Sequence, residues 1–117
     1  EARKNEEKTL RLPVDQFATP VNARDVGALI CAMIRDNKTG IYHLASDEYL
    51  SRVELAEKVL SYFPATPLRI EAVLTRDLGQ AAPRPLRGGL KTAKIRSEYP
   101  GFTFSTVRDF LEEQNGF

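Results

Sequence analysis

The chain is 117 residues long, 42% hydrophobic and 28% charged, with a net charge of +1, the make-up of one folded domain rather than of a disordered tail. No apolar run approaches the roughly 20 residues of a membrane helix, so no membrane partner is expected. The single Cys31 and single His43 exclude an internal disulfide and a Cys/His zinc site.

The N-terminal residues Glu1 to Lys8 are charged, without a signal-peptide pattern, and no Met starts the chain. The expectation is a piece of a longer protein in a reducing cytoplasm. Residues 1 to 9 read as frayed, or as the end of a helix. Leu10 to Val14 alternates and predicts a short strand, with Pro13 confining it to an edge. Asp15 to Pro20 reads as a polar loop. Asn22 is placed to cap a helix whose first turn carries Asp25. Val26, Leu29, Ile30, Met33 and Ile34 then form one apolar stripe. Cys31 is expected among the core residues of that helix.

Ile41 to Ala45 predicts a buried strand, with His43 as a hydrogen-bonded core histidine. Ser51 and Glu54 have the spacing of a capping box and predict a second helix, which Pro64 and Pro67 stop. Leu68 to Leu74 reads as a further strand, and Thr75 to Gln80 as one helical turn. Thr92 opens a short helix through Tyr99. Ser105 or Thr106 caps a last one, ended by Asn115-Gly116, with Val107, Phe110 and Leu111 inward. The result is a mixed α/β chain of about four helices and two or three short strands. Phe17, Phe102 and Phe104 fall in or beside loops. They serve either to staple those loops or to meet a partner lobe.

Ala81 to Lys94 stands out as a basic loop running into a helix. Pro83 and Pro85 hold Arg84 in extended chain, and Gly88-Gly89 allow a turn or a close approach. Between Arg76 and Arg96 there are six cationic residues against the one acid Asp77. An arginine restrained by its neighbours suits an anion, above all a phosphate. The competing reading is a solvated basic face. Nucleic acid is not expected: the net charge is near zero and the loop holds no aromatic residue. The chain has no G-x-G-x-x-G, no P-loop and no G-x-S-x-G. None of Tyr42, Tyr49, Tyr62 and Tyr99 has a lysine four residues on. No catalytic, cofactor-binding or metal-binding residue is therefore assigned.

Three segments carry a resemblance. They are Asp15-Gln16-Phe17-Ala18-Thr19-Pro20 through Val26, then Gly40-Ile41-Tyr42-His43-Leu44-Ala45 with Glu54-Leu55-Ala56, then Arg84-Pro85 with Leu90 to Lys94. In that order the chain resembles the C-terminal part of the dTDP-4-dehydrorhamnose reductase family, extended short-chain dehydrogenases/reductases acting on sugar nucleotides. It departs at Val21, Ser46, Ala93 and Leu86 to Gly89. The resemblance implies that residues 1–117 are one substrate-binding lobe, with the N-terminal Rossmann lobe outside the chain. That lobe would supply NAD(P)H binding and the catalytic residues, so this chain alone would be inactive. Gln16 and Thr19 match the substrate-side loop, Arg84 matches an arginine near the diphosphate, and Arg87 is counted with it. Lys94 matches a lysine read as structural. The implied partners are a nucleotide-diphosphate sugar and the missing lobe, with a homodimer left open. A second reading within the same fold is a regulatory, partner-binding subunit like that of methionine adenosyltransferase.

Overall fold

The computed structural model describes residues 8–115. The expectations for residues 1–7 and for Gly116 lie outside them. The chain divides into two compact units, one of Glu1–Ala18 with Leu50–Gly88, the other of Thr19–Tyr49 with Gly89–Phe117.

In the first unit, β1 (Lys8–Pro13) pairs in parallel with β4 (Leu68–Val73), with Leu10 opposite Ile70 and Pro13 opposite Val73. Lys8 and Thr9 are thus strand and not frayed chain. In a two-stranded sheet both strands are edges, so Pro13 forfeits no ladder bond on its outer side. β2 (Phe17–Ala18) pairs antiparallel with β3 (Leu50–Ser51), inside the segment expected as a loop. Ser51 then caps α2 (Arg52–Ser61): its hydroxyl accepts the Glu54 amide while the Glu54 carboxylate accepts the Ser51 amide. Two orphan N–H groups are satisfied reciprocally, which is why the helix starts there. Its apolar side, Leu55, Ala56, Val59 and Leu60, faces Leu10, Leu12 and Leu68 across a shallow groove. A 3-10 turn (Thr75–Asp77) follows β4.

The second unit holds α1 (Ala23–Arg35), α3 (Ala93–Glu98) and α4 (Val107–Asn115). Asn22 caps α1 by accepting the Arg24 amide. The Thr106 hydroxyl accepts the Asp109 amide, and the Asp109 carboxylate accepts the Thr106 amide, so Thr106 caps α4. Hydrogen bonding to the Asp109 carboxylate, first from the Thr106 amide and then from the Thr106 hydroxyl, holds that carboxyl below its ordinary range. The core is Leu29, Ile95 and Phe104, with Met33, Tyr42, Leu44, Tyr99 and Phe102 packed on it. Phe102 meets Phe104 edge-on at 5.2 Å between centroids, so both staple their own unit.

Three expectations are corrected here. Ile41 to Ala45 is extended but not a strand, because no described segment pairs with it; His43 is exposed and Ile41 is 77% exposed. Cys31 is exposed, as are Ile30 and Ile34, because the unit covers only the Leu29 side of the α1 stripe. Phe110 is exposed, while Leu111 is buried.

Candidate ligand-binding site

The end of β1 and the residues after it define one side of a cavity of about 290 Å³ in the first unit. Arg11, Leu12, Pro13, Gln16, Arg52, Leu78, Gln80 and Arg84 line it. Each element delivers its residue for a local reason. Strand alternation sends Arg11 to the opposite face from Leu10 and Leu12. Arg52 is the first helical residue after the Ser51 cap, and its amide donates to the Gln16 carbonyl at 3.1 Å. Pro83 and Pro85 bracket Arg84.

Of the residues expected from sequence, Gln16 and Arg84 come together on this cavity. Arg87 does not line it; its place is a bridge to Phe17, with the Gly88 amide donating to the Phe17 carbonyl at 2.9 Å. A Cβ on Gly88 would sit 3.2 Å from that carbonyl oxygen, so close approach explains this glycine. Thr19 belongs to the second unit, where its hydroxyl accepts the Leu90 amide at 3.1 Å. Lys94 is also in the second unit. Its ammonium lies 4.1 Å from the centre of the Tyr42 ring and donates to the Ile41 carbonyl at 3.0 Å, a structural role.

Gln16 is 8% exposed and sits in a hydrogen-bonded chain. Its amide nitrogen donates to the Thr75 hydroxyl at 3.1 Å and to Gln80 Oε1 at 3.0 Å. The Thr75 hydroxyl donates to Asp15 Oδ1 at 2.6 Å, and the Thr75 amide donates to the same oxygen at 2.9 Å. The Thr75 hydroxyl is the main reason the Asp15 carboxyl is held below its ordinary range, against a smaller opposing effect of burial.

Arg11, Arg52 and Gln80 were missed by sequence reading. Arg11 is engaged, donating to the Asp77 carbonyl at 3.2 Å and standing 4.0 Å from the Glu71 carboxylate. Arg52 and Arg84 have no side-chain partner among the described residues. Three guanidinium groups and two amides around one cavity can take an anion on charge-assisted hydrogen bonds while reading a neighbouring polar group. Among the described residues no three His, Cys, Asp or Glu side chains are placed to hold a metal, and no helix is long and apolar enough to cross a membrane.

The class defined so far is a mixed α/β chain with an anion-suited cavity at the end of a parallel strand pair. Residues 2–113 match the RmlD substrate binding domain, and the chain belongs to that family. The probable low-salt glycan biosynthesis reductase Agl14 of Haloferax volcanii is 27% identical over 103 residues, 88% of this chain and 34% of the relative. The dTDP-4-dehydrorhamnose reductase of Bacillus anthracis, solved with NADP, superposes with a TM-score of 0.79 at 21% identity. That match covers 96% of this chain and 39% of the reductase. The Clostridium acetobutylicum dTDP-4-dehydrorhamnose reductase gives 0.80 at 17% identity, covering 93% and 38%. At those identities the structures establish the fold, the C-terminal part of such reductases. The chain spans little more than a third of the length of these relatives.

Proposed function

We propose that this chain is the sugar-nucleotide-binding lobe of an NAD(P)-dependent reductase of the extended short-chain dehydrogenase/reductase class. The observation that carries the reading is that Gln16 and Arg84, far apart in sequence, line one cavity together with Arg11 and Arg52. The arginines neutralise a diphosphate, and the amides orient what is attached to it. The residues present do not fit a dinucleotide cofactor. β1 is followed by Val14-Asp15-Gln16 and β4 by Leu74-Thr75-Arg76, with no glycine-rich turn into a helix after either. NAD(P)H and the proton donor for a keto-sugar therefore belong to a Rossmann lobe outside this chain. The share of residues 1–117 is to bind and orient the substrate. The test is a titration of the isotope-labelled chain with dTDP, UDP and dTDP-rhamnose, read by amide shifts. Shifts at residues 11–16, 52 and 80–84 are expected; a well-folded chain that responds to none of the three refutes the reading.

A further inference from the structure

Gln16 has more to say about the ligand than that it touches one. A neutral carboxamide carries two N–H donors and one carbonyl acceptor. Both donors of Gln16 are spent, one on the Thr75 hydroxyl and one on Gln80 Oε1. The orientation of the amide follows from its neighbours. Asp15 is an acceptor-only carboxylate when ionised, so the single Thr75 proton must point to it. Thr75 can then only accept, and the group facing it must be the Gln16 nitrogen. A flipped amide would set the Gln16 oxygen against both the Thr75 lone pairs and Gln80 Oε1.

What remains is the side-chain oxygen of Gln16, Oε1, as distinct from its backbone carbonyl, which accepts the Arg52 amide. Gln16 Oε1 accepts no hydrogen bond from the described residues, although the residue is buried. No buried side-chain nitrogen or oxygen among the described residues lacks a partner, so this oxygen is reached by solvent. Diphosphate oxygens are acceptors and would repel it. Gln80, in contrast, accepts through its oxygen and keeps its amide nitrogen without a partner among the described residues. The two amides thus present opposite polarity on one cavity.

We infer that Gln16 reads a hydrogen-bond donor on the ligand, a sugar hydroxyl or the imide N–H of a pyrimidine, and that Asp15, acting through Thr75, is the positioning residue that fixes this polarity. The inference rests on the reading of the cavity as a sugar-nucleotide site. The diphosphate goes to the arginines and the Gln80 N–H, and never to Gln16.

The experiment titrates the chain and its Thr75→Val and Thr75→Ser variants with inorganic pyrophosphate, UDP and UDP-glucose, by calorimetry. Valine keeps the shape of threonine and removes the hydroxyl; serine restores it. Thr75→Val should weaken UDP or UDP-glucose about tenfold, leave pyrophosphate unchanged, and be rescued by Thr75→Ser. A loss already seen with UDP places the donor on the nucleoside. A loss confined to UDP-glucose places it on the hexose. Equal losses for all three ligands, or none, overturn the inference while the anion site stands. No binding of pyrophosphate, UDP or UDP-glucose by the folded chain overturns the anion site and this inference with it. A second measurement needs no variant. The Gln16 side-chain N–H protons should exchange slowly with solvent in the free chain, and exchange at the rate of exposed glutamines would refute the assigned orientation.

Discussion

Replacing Arg84 by alanine is the sharpest perturbation of the cavity. Arg84 is exposed, lines the cavity and has no side-chain partner among the described residues. Its loss therefore leaves no buried counter-charge behind, and the effect on the fold should be small. Two unit charges at about 4 Å attract by ~1 kcal/mol in water and by ~4 kcal/mol at the effective dielectric typical of a protein surface. An exposed guanidinium lies near the lower limit, so ~1.5 kcal/mol is expected, or about tenfold in Kd for pyrophosphate or UDP. Arg84→Lys should recover part of this, because the charge remains and the bidentate fork does not. Salt supplies an independent check. The Debye length is about 10 Å at 0.1 M, so wild-type affinity should fall as salt rises, and that of Arg84→Ala less steeply. Calorimetry at two ionic strengths measures both quantities. An unchanged affinity in a variant with an unchanged amide spectrum would refute the assignment of the anion to this cavity.

Other outcomes follow from the packing and the charges. Leu29 is 1% exposed in the core with Ile95 and Phe104, so Leu29→Ala should cost about 3 kcal/mol, read from the denaturant midpoint at unchanged slope. Asp15 has its pKa lowered, first by the Thr75 hydroxyl, with the Arg76 charge also contributing. Its share of stability is therefore complete above the ordinary value of 3.8 and is lost as pH falls through the lower folded value. An NMR titration should show Asp15 and the Gln16 side-chain amide moving in one acid step. Glu98 accepts from Lys38 at 3.0 Å and from Tyr42 at 2.8 Å, and these bonds lower its pKa. Its contribution likewise disappears only below 4.5, and Tyr42→Phe should raise the Glu98 midpoint in the same titration.

What could be read without coordinates was whatever is decided within a few residues. The Asn22 cap of α1 and the Ser51–Glu54 box of α2 are bonds between side chains and neighbouring amides, so spacing alone reveals them. The Ile41 to Ala45 strand failed for the opposite reason. A short, mostly apolar run needs a partner strand, and nothing local in sequence says whether one exists. The α1 stripe shows the same limit. Periodicity finds the apolar face, but only packing tells that Leu29 is covered while Ile34 stays 71% exposed. The site divides along the same line. The local pattern around Arg84 and Gln16 was legible. Arg11, Arg52 and Gln80 join them only through the parallel pairing of β1 with β4 and the start of α2, contacts between residues tens of positions apart. The faint signals were the arginine between Leu10 and Leu12, which alternation turns away from the leucine side, and an arginine set directly after a cap.

Lys94 shows how a motif residue can be assigned by geometry rather than by its motif. It sits in a basic stretch and could be counted as another anion ligand. Its ammonium is instead engaged twice, over the Tyr42 ring at 4.1 Å and on the Ile41 carbonyl at 3.0 Å, both within the second unit. The Cβ position of Gly40 lies 3.4 Å from the same ammonium, so the lysine fills space beside the extended 41–46 segment. That segment has no sheet partner among the described residues, and the lysine bond is one of the few that hold its backbone. An exposed cation–π contact contributes about 0.5–1 kcal/mol, and a hydrogen bond of this kind about 1 kcal/mol. Lys94→Met keeps most of the stem and removes the charge. It should lower stability by about 1–2 kcal/mol, with faster amide exchange at residues 42–46. Pyrophosphate affinity should not move, since Lys94 does not line the cavity. The opposite result, full stability with a weakened anion affinity, would transfer Lys94 from the scaffold to the site.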